Sequence, residues 1–268
     1  MAYQFKRIAV KIGSNVLTRK DGSLDVTRMS ALVDQVAELH RKGVEVVLIS
    51  SGAVASGRSE VKPGKKLDAV SARQLYSAVG QAKLINRYFE LFREHKIACG
   101  QVLTTKENFG SRTHYLNQKH CMEVMLDNNV IPIVNENDSV SYKEIESEDR
   151  LFGDNDMLSS VVSVLCRAKR LVIFSDIDGF YDSDPRLHPN AKLIKEIRQI
   201  DESVYSLAGG AGSRRGTGGM RTKLQAAELA ASQGIDTIVT NGKHPEALYD
   251  IVNGKQAGTL FVGNKDCL

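Results

Sequence analysis

The sequence predicts an α/β fold, a three-layer α/β/α sandwich with a mainly parallel central sheet. Short β-branched runs alternate with amphipathic helical patterns through most of the chain. Helices of that length between strands require right-handed crossovers, and these pair strands in parallel. Polar and glycine-rich clusters follow the strands, where open parallel sheets collect their ligands.

Ile8 to Ile12 predicts the first strand. Thr27 is a candidate cap for a helix with Met29, Leu32, Val33, Val36 and Leu39 on one stripe and Gly43 at its end. Val44 to Ile49 predicts a strand, and 68–95 a long helix with Leu75, Val79, Leu84, Tyr88 and Phe92 on one face. Strand 97–103, helix 113–127 and strand 130–134 follow. Helix 154–167, strand 170–174, helix 220–233 ending at Gly234 and strand 235–239 repeat the alternation. Residues 182–219 are rich in Pro, Gly and polar residues and read as loops at one end of the sheet. With no internal repeat and no hinge-like linker, residues 1–268 read as one domain.

Composition excludes several classes. The formal charge is +4 and the basic residues are dispersed, with neither a basic patch nor stacking aromatics such as Trp, so a nucleic-acid binder is disfavoured. Cys99, Cys121, Cys166 and Cys267 have no metal-ligand spacing and read as reduced. There is no signal-peptide pattern, and no apolar run approaches the ~20 residues of a membrane span. The expectation is a soluble, cytoplasmic protein.

After the first strand, Lys11-Ile12-Gly13-Ser14-Asn15 combines a cation, close backbone approach and a hydroxyl, all suited to phosphate. After the second, Ser50-Ser51-Gly52-Ala53 leads into a helix whose N-terminal N–H groups can take an anion, or whose small residues serve tight packing. Asn135-Glu136-Asn137-Asp138 and Gly153-Asp154-Asn155-Asp156 fit turns and caps singly, and together tilt towards ammonium and carboxylate recognition. Ser175-Asp176-Ile177-Asp178-Gly179 lacks the remaining ligands of a calcium loop and either caps a turn or faces a nucleotide. The stretch 209–223 is glycine-rich, holds Arg214, Arg215 and Lys223, and runs into a helix without matching a P-loop. A lysine on a first helical turn opposes the helix dipole unless an anion neutralises it.

These segments, V-K-I-G-S-N, S-S-G-A-V-A-S-G, A-V-G-Q-A-K-L, D-N-N-V-I-P-I-V-N-E-N-D, G-D-N-D, S-D-I-D-G-F-Y, D-P-R and G-T-G-G-M-R-T-K-L-Q-A-A, resemble the amino-acid kinase family, in particular its glutamate-phosphorylating branch. The resemblance implies the amino-acid kinase fold, with the amino-acid site in the N-terminal half and the ATP site in the C-terminal half. It implies transfer of the ATP γ-phosphoryl group to the γ-carboxylate of L-glutamate, the first step of proline biosynthesis. By it, Lys11 and Lys223 contact the transferring group, with Lys11 shared with ATP, and Asp156 organises the centre. Ser51, Gly52, Asp138 and Asn155 hold glutamate, and Ser175, Asp176, Thr217, Gly218, Gly219, Met220, Arg221, Thr222 and Lys223 bind ATP. It also implies Mg2+ with no assigned ligands, proline as feedback inhibitor, a dimer or tetramer, and hand-off to glutamyl phosphate reductase. Two departures from the common family pattern are expected: a form without the C-terminal PUA domain that many members carry, and a longer 138–154 stretch, with Tyr142 to Glu146.

The chemistry suits the residues. A carboxylate nucleophile, with pKa near ~4.3, is ionised at neutral pH and needs no general base, which agrees with six histidines that have no Ser or Cys partner pattern. The rivals are sibling kinases acting on N-acetylglutamate, aspartate or carbamate, and a non-catalytic amino-acid or nucleotide sensor. Retention of Lys11, Asp156 and Lys223 argues against the sensor.

Overall fold

A computed structural model describes residues 5–141, 155–208 and 219–265. One eight-stranded sheet runs through it in the order β3-β4-β2-β1-β5-β7-β8-β6. The strands are β1 (Arg7–Ile12), β2 (Glu45–Ser50), β3 (Ala98–Thr104), β4 (Val130–Glu136), β5 (Arg170–Ser175), β6 (Glu196–Ile197), β7 (Asp236–Asn241) and β8 (Thr259–Phe261). Every pairing is parallel except β7–β8. β1 pairs with β2 on one side and β5 on the other, so the chain builds the sheet outwards first one way and then the other. A crevice opens at such a reversal, beyond the carboxyl ends of the strands.

The described helices are α1 (Ser14–Leu17), α2 (Val26–Arg41), α3 (Ala53–Glu60), α4 (Ala69–Glu94), α5 (Lys106–Gly110), α6 (Arg112–Asp127), α7 (Asn155–Leu165), α8 (Glu202–Ala208), α9 (Met220–Ser232) and α10 (Ala247–Val252). They divide between the two faces of the sheet. Ile8, Val10 and Ile12 of β1 enter one core with α2, α4 and α10, while Ala9 enters the other with α6, α7 and α9. Alternation then puts the side chain of Lys11 on the α7 and α9 side.

α2 begins two residues earlier than the Thr27 cap predicts. Asp25 is the N-cap, its carboxylate accepting from the Arg28 N–H at 3.2 Å, because a carboxylate also complements the positive end of the helix. Gly43 closes the turn after α2 at φ +83°. α4 also departs from its expected face. Ser77 and Gly80 are buried and Leu75 and Val79 only half-buried, since the first half of α4 turns its small residues to α3. There a Cβ on Gly57 would lie 1.8 Å from the Tyr76 carbonyl oxygen, and one on Gly80 1.8 Å from that of Ala53. Two backbones touch at that crossing, and only glycine fits. Between Phe180 and α9 the chain forms β6 and α8 as well as loops. Cys99 and Cys166 are buried and Cys121 is exposed.

Candidate active site

The centre lies on the α7–α9 side of β1. Lys11, near the end of β1, is buried, as are Asp156 in the first turn of α7 and Lys223 in the first turn of α9. Asp156 is fully buried and bridges the two cations: Lys11 Nζ bonds its Oδ1, and Lys223 Nζ donates to Oδ2 at 3.0 Å. The Thr222 hydroxyl lies 3.0 Å from the same Oδ2 and 2.8 Å from the Gly219 carbonyl oxygen. Burial works to raise the Asp156 pKa, but the charge of Lys11, then of Lys223, outweighs it and holds the carboxyl at about 2. The triad therefore carries one net positive charge inside the protein.

The helices can converge because α7 turns small residues inwards. Ser159, Ser160 and Ser163 are buried, and Ser160 Oγ donates across to the Ala226 carbonyl of α9 at 2.7 Å. Gly13 keeps the floor narrow. Its N–H donates to the Phe174 carbonyl at 3.0 Å, tying the ends of β1 and β5 together. A Cβ there would sit 3.8 Å from Lys11 Nζ.

A second group of side chains starts one residue from the triad. Asn155 Nδ2 donates to Ser51 Oγ at 2.8 Å and to Asn135 Oδ1 at 3.0 Å. Asn135 Oδ1 also accepts the Glu136 backbone N–H at 2.9 Å, and its Nδ2 donates to Gln81 Oε1 at 2.8 Å. Gly52 takes φ +101° at the N-cap of α3, a conformation natural to glycine that opens the N-terminus of that helix next to Ser51. Asp138 stands apart from Ser51 and Asn155. It accepts from Arg73 Nε at 2.8 Å, and Arg73 Nη2 reaches Glu136 Oε2 at 3.2 Å. Gln81, Glu136 and Asp138 border a cavity of about 320 Å3 between α4, β3 and the segment after β4.

On the β5 side, Ser175 is buried and Asp176 exposed at the strand end, where Asn15 Nδ2 donates to Asp176 Oδ2 at 3.0 Å. Partial burial raises the Asp176 carboxyl, and the Asn15 bond heads the effects that bring it below the usual range. Gly219 caps α9 and Met220 is half-buried. Arg221 is turned from the triad and lies over the Tyr205 ring, 5.8 Å from its centroid. Thr217 and Gly218 lie outside the described residues, as do 209–216, Tyr142 to Glu146, Gly153, Asp154 and Cys267. Asn135, Gln81, Arg73 and Asn15 carried no individual site assignment from the sequence. Asn135 and Gln81 stand inside the N-E-N-D and A-V-G-Q segments, which is the signal that could have found them.

The Lys11–Asp156–Lys223 triad stands at the crevice of a reversing parallel sheet, and the chain belongs to the amino acid kinase family, whose model matches residues 6–241. Among curated relatives it is similar to the glutamate 5-kinase of Bacteroides thetaiotaomicron, at 59% identity over 94% of this chain and 68% of that protein. It is similar too to the glutamate 5-kinase of Clostridium perfringens, at 45% identity over 97% of this chain and 96% of that protein. Among solved structures, a UMP kinase from Bacillus anthracis superposes with a TM-score of 0.63 at 16% identity, covering 97% of each chain. An isopentenyl phosphate kinase does so at 0.64 and 15% identity, over 96% of this chain and 100% of its own. Both support the fold alone.

Proposed function

We propose that this chain transfers the γ-phosphoryl group of ATP to the γ-carboxylate of L-glutamate, giving L-glutamyl 5-phosphate and ADP, the committing step towards proline. The observation that carries the chemistry is the buried Lys11–Asp156–Lys223 triad. Asp156 offsets part of the cost of burying the two ammonium groups and holds them side by side, and the pair of cations suits a migrating phosphoryl group.

The nucleophile needs no base. One γ-carboxylate oxygen bonds to the γ-phosphorus as the bond from that phosphorus to the β,γ-bridging oxygen breaks, and the electron pair stays on ADP. Ser51 and the N-terminus of α3 at Gly52 orient the carboxylate, and Asn155 links that contact to Asp156 through adjacent positions on α7. Lys11 and Lys223 stabilise the phosphoryl oxygens and the leaving β-phosphate. Asp138 takes the substrate ammonium. Ser175, Asp176 and the segment from Thr217 to Lys223 bind the nucleotide.

Mg2+ is part of this reading, as a companion of ATP. Among the described residues no cluster of three His, Cys, Asp or Glu side chains exists, and both Asp156 oxygens are engaged by lysines. These residues do not form a protein cage for the ion, which fits a cation carried on phosphate oxygens and water. The same reading makes 1–268 a single kinase domain in the cytoplasm, a dimer or tetramer that answers to proline and hands its labile product to glutamyl phosphate reductase. Among the described residues no helix is long and apolar enough to cross a membrane.

Hydroxylamine trapping of the acyl phosphate tests the assignment, with L-glutamate, N-acetylglutamate, aspartate and carbamate compared in parallel. Hydroxamate formed from glutamate ahead of the others is the expected result. Preference for the acylated amino acid would transfer the chain to a sibling activity.

A further inference from the structure

From the polarity of the partly buried amide chain, we propose that Gln81 is a specificity-determining residue that donates its side-chain N–H to the α-carboxylate of the amino-acid substrate. This rests on the glutamate reading above and deepens it. An Asn or Gln amide can be turned end for end, and its orientation must be fixed by a partner of known polarity. Here the Glu136 backbone N–H, which can only donate, meets Asn135 Oδ1 at 2.9 Å. The Asn135 Nδ2 therefore faces Gln81 at 2.8 Å, and Gln81 must present its Oε1 there. Its Nε2 is left to point elsewhere, and it finds no acceptor among the described residues.

The chain is oriented in the other direction too. Asn155 spends its amide hydrogens on Ser51 Oγ at 2.8 Å and Asn135 Oδ1 at 3.0 Å. Ser51 Oγ is thus an acceptor towards Asn155, and its hydroxyl proton serves a carboxylate. One fixed polarity yields a donor at each end, Ser51 beside the phosphoryl centre and Gln81 on the far side of Asn135. A dicarboxylic amino acid carries a carboxylate at each end of a short chain. Its γ end belongs with Ser51, Gly52 and the lysines. Its α end then reaches the cavity that Gln81 shares with Asp138, where one residue offers a donor and the other an anion for the ammonium. Arg73 is the nearby cation, and it is engaged with Asp138 and Glu136.

The test is a swap of donor for acceptor. Gln81→Glu keeps the oxygen that Asn135 needs and replaces the N–H donor with a carboxylate oxygen. The readout is kcat/KM for L-glutamate against its α-carboxamide analogue, isoglutamine, with KM for ATP measured alongside. Wild type is expected to favour glutamate. In Gln81→Glu the glutamate KM should rise about 10–100-fold with ATP KM unchanged, and the preference ratio should move at least about tenfold towards the amide. An unchanged ratio overturns the role, even if both activities fall, because a merely structural defect would penalise both substrates alike. Gln81→Met, neutral and near in size, gives a second reading should the acidic variant fold poorly. It should weaken glutamate more than isoglutamine, and equal losses again overturn the proposal. If wild type forms no acyl phosphate with glutamate, the glutamate assignment itself has failed, which is a separate outcome.

Discussion

Replacing Asp156 with asparagine should damage stability and turnover together, and the structure sets the scale. The Asp156 carboxyl lies at about 2 against an ordinary 3.8, which at neutral pH corresponds to roughly 2 kcal/mol of folding stability. Asparagine also takes the carboxylate away from two buried ammonium groups, Lys11 and Lys223, and breaking a buried ion pair on one side costs about 3–5 kcal/mol. Asp156→Asn is therefore expected to lower unfolding free energy by about 3–5 kcal/mol at pH 7. The folded-state pKa is depressed, so the carboxylate's contribution is complete above the unfolded value near 3.8 and is lost as pH falls through about 2. Urea unfolding followed by circular dichroism, on both proteins at several pH values, measures this. The gap between them should hold steady from pH 7 to about 5 and narrow below about 4. A variant as stable as wild type at pH 7, or a gap that does not narrow in acid, would refute the bridging role.

Asp138→Ala should raise the glutamate KM about 10–100-fold, the scale of a lost charge-assisted contact, and leave ATP KM near wild type. Steady-state kinetics with each substrate varied decides it, and an unchanged glutamate KM removes Asp138 from the amino-acid site. Gly80→Ala should destabilise by on the order of 3 kcal/mol or more, because the new Cβ would sit 1.8 Å from the Ala53 carbonyl oxygen. A thermal midpoint equal to wild type would show that α3 and α4 separate more easily than their contact implies.

Much of the fold was legible because the long elements obey simple periodicities. The 26 residues of α4 run from Ala69 to Glu94 between the caps Asp68 and His95, which are the bounds expected from 68–95. The strands that build the crevice, β1, β2, β4 and β5, are runs of buried apolar residues. What stayed hidden was short or held by distant contacts. β8 is three residues long and antiparallel to β7, and β6 two residues long beside it. Neither has length enough for a period, and both exist through pairing. α10 was missed for the same reason: its six residues are fixed by burying Leu248, Ile251 and Val252.

The site divides likewise. Lys11 and Lys223 were singled out locally, one at a strand end and one where a helix dipole disfavours it. That Asp156 joins them is a long-range fact, since it is 145 residues from Lys11 and 67 from Lys223. Sequence spacing contains no trace of that contact. The orientation of the Ser51–Asn155–Asn135–Gln81 chain was equally invisible, because it is fixed by one backbone N–H, that of Glu136. Arg221 stands two residues before Lys223 in the motif, yet two steps along a helix turn it about 200° away, over Tyr205.

The most direct measurement of the central claim is a single-turnover experiment on Lys223→Met, with glutamate and ATP both saturating and acyl phosphate followed by rapid quench. The account predicts that the transfer step slows by on the order of 10²–10³-fold while the binding constants of glutamate and nucleotide change only a few-fold. Transfer at the wild-type rate, with the loss confined to binding, would contradict it.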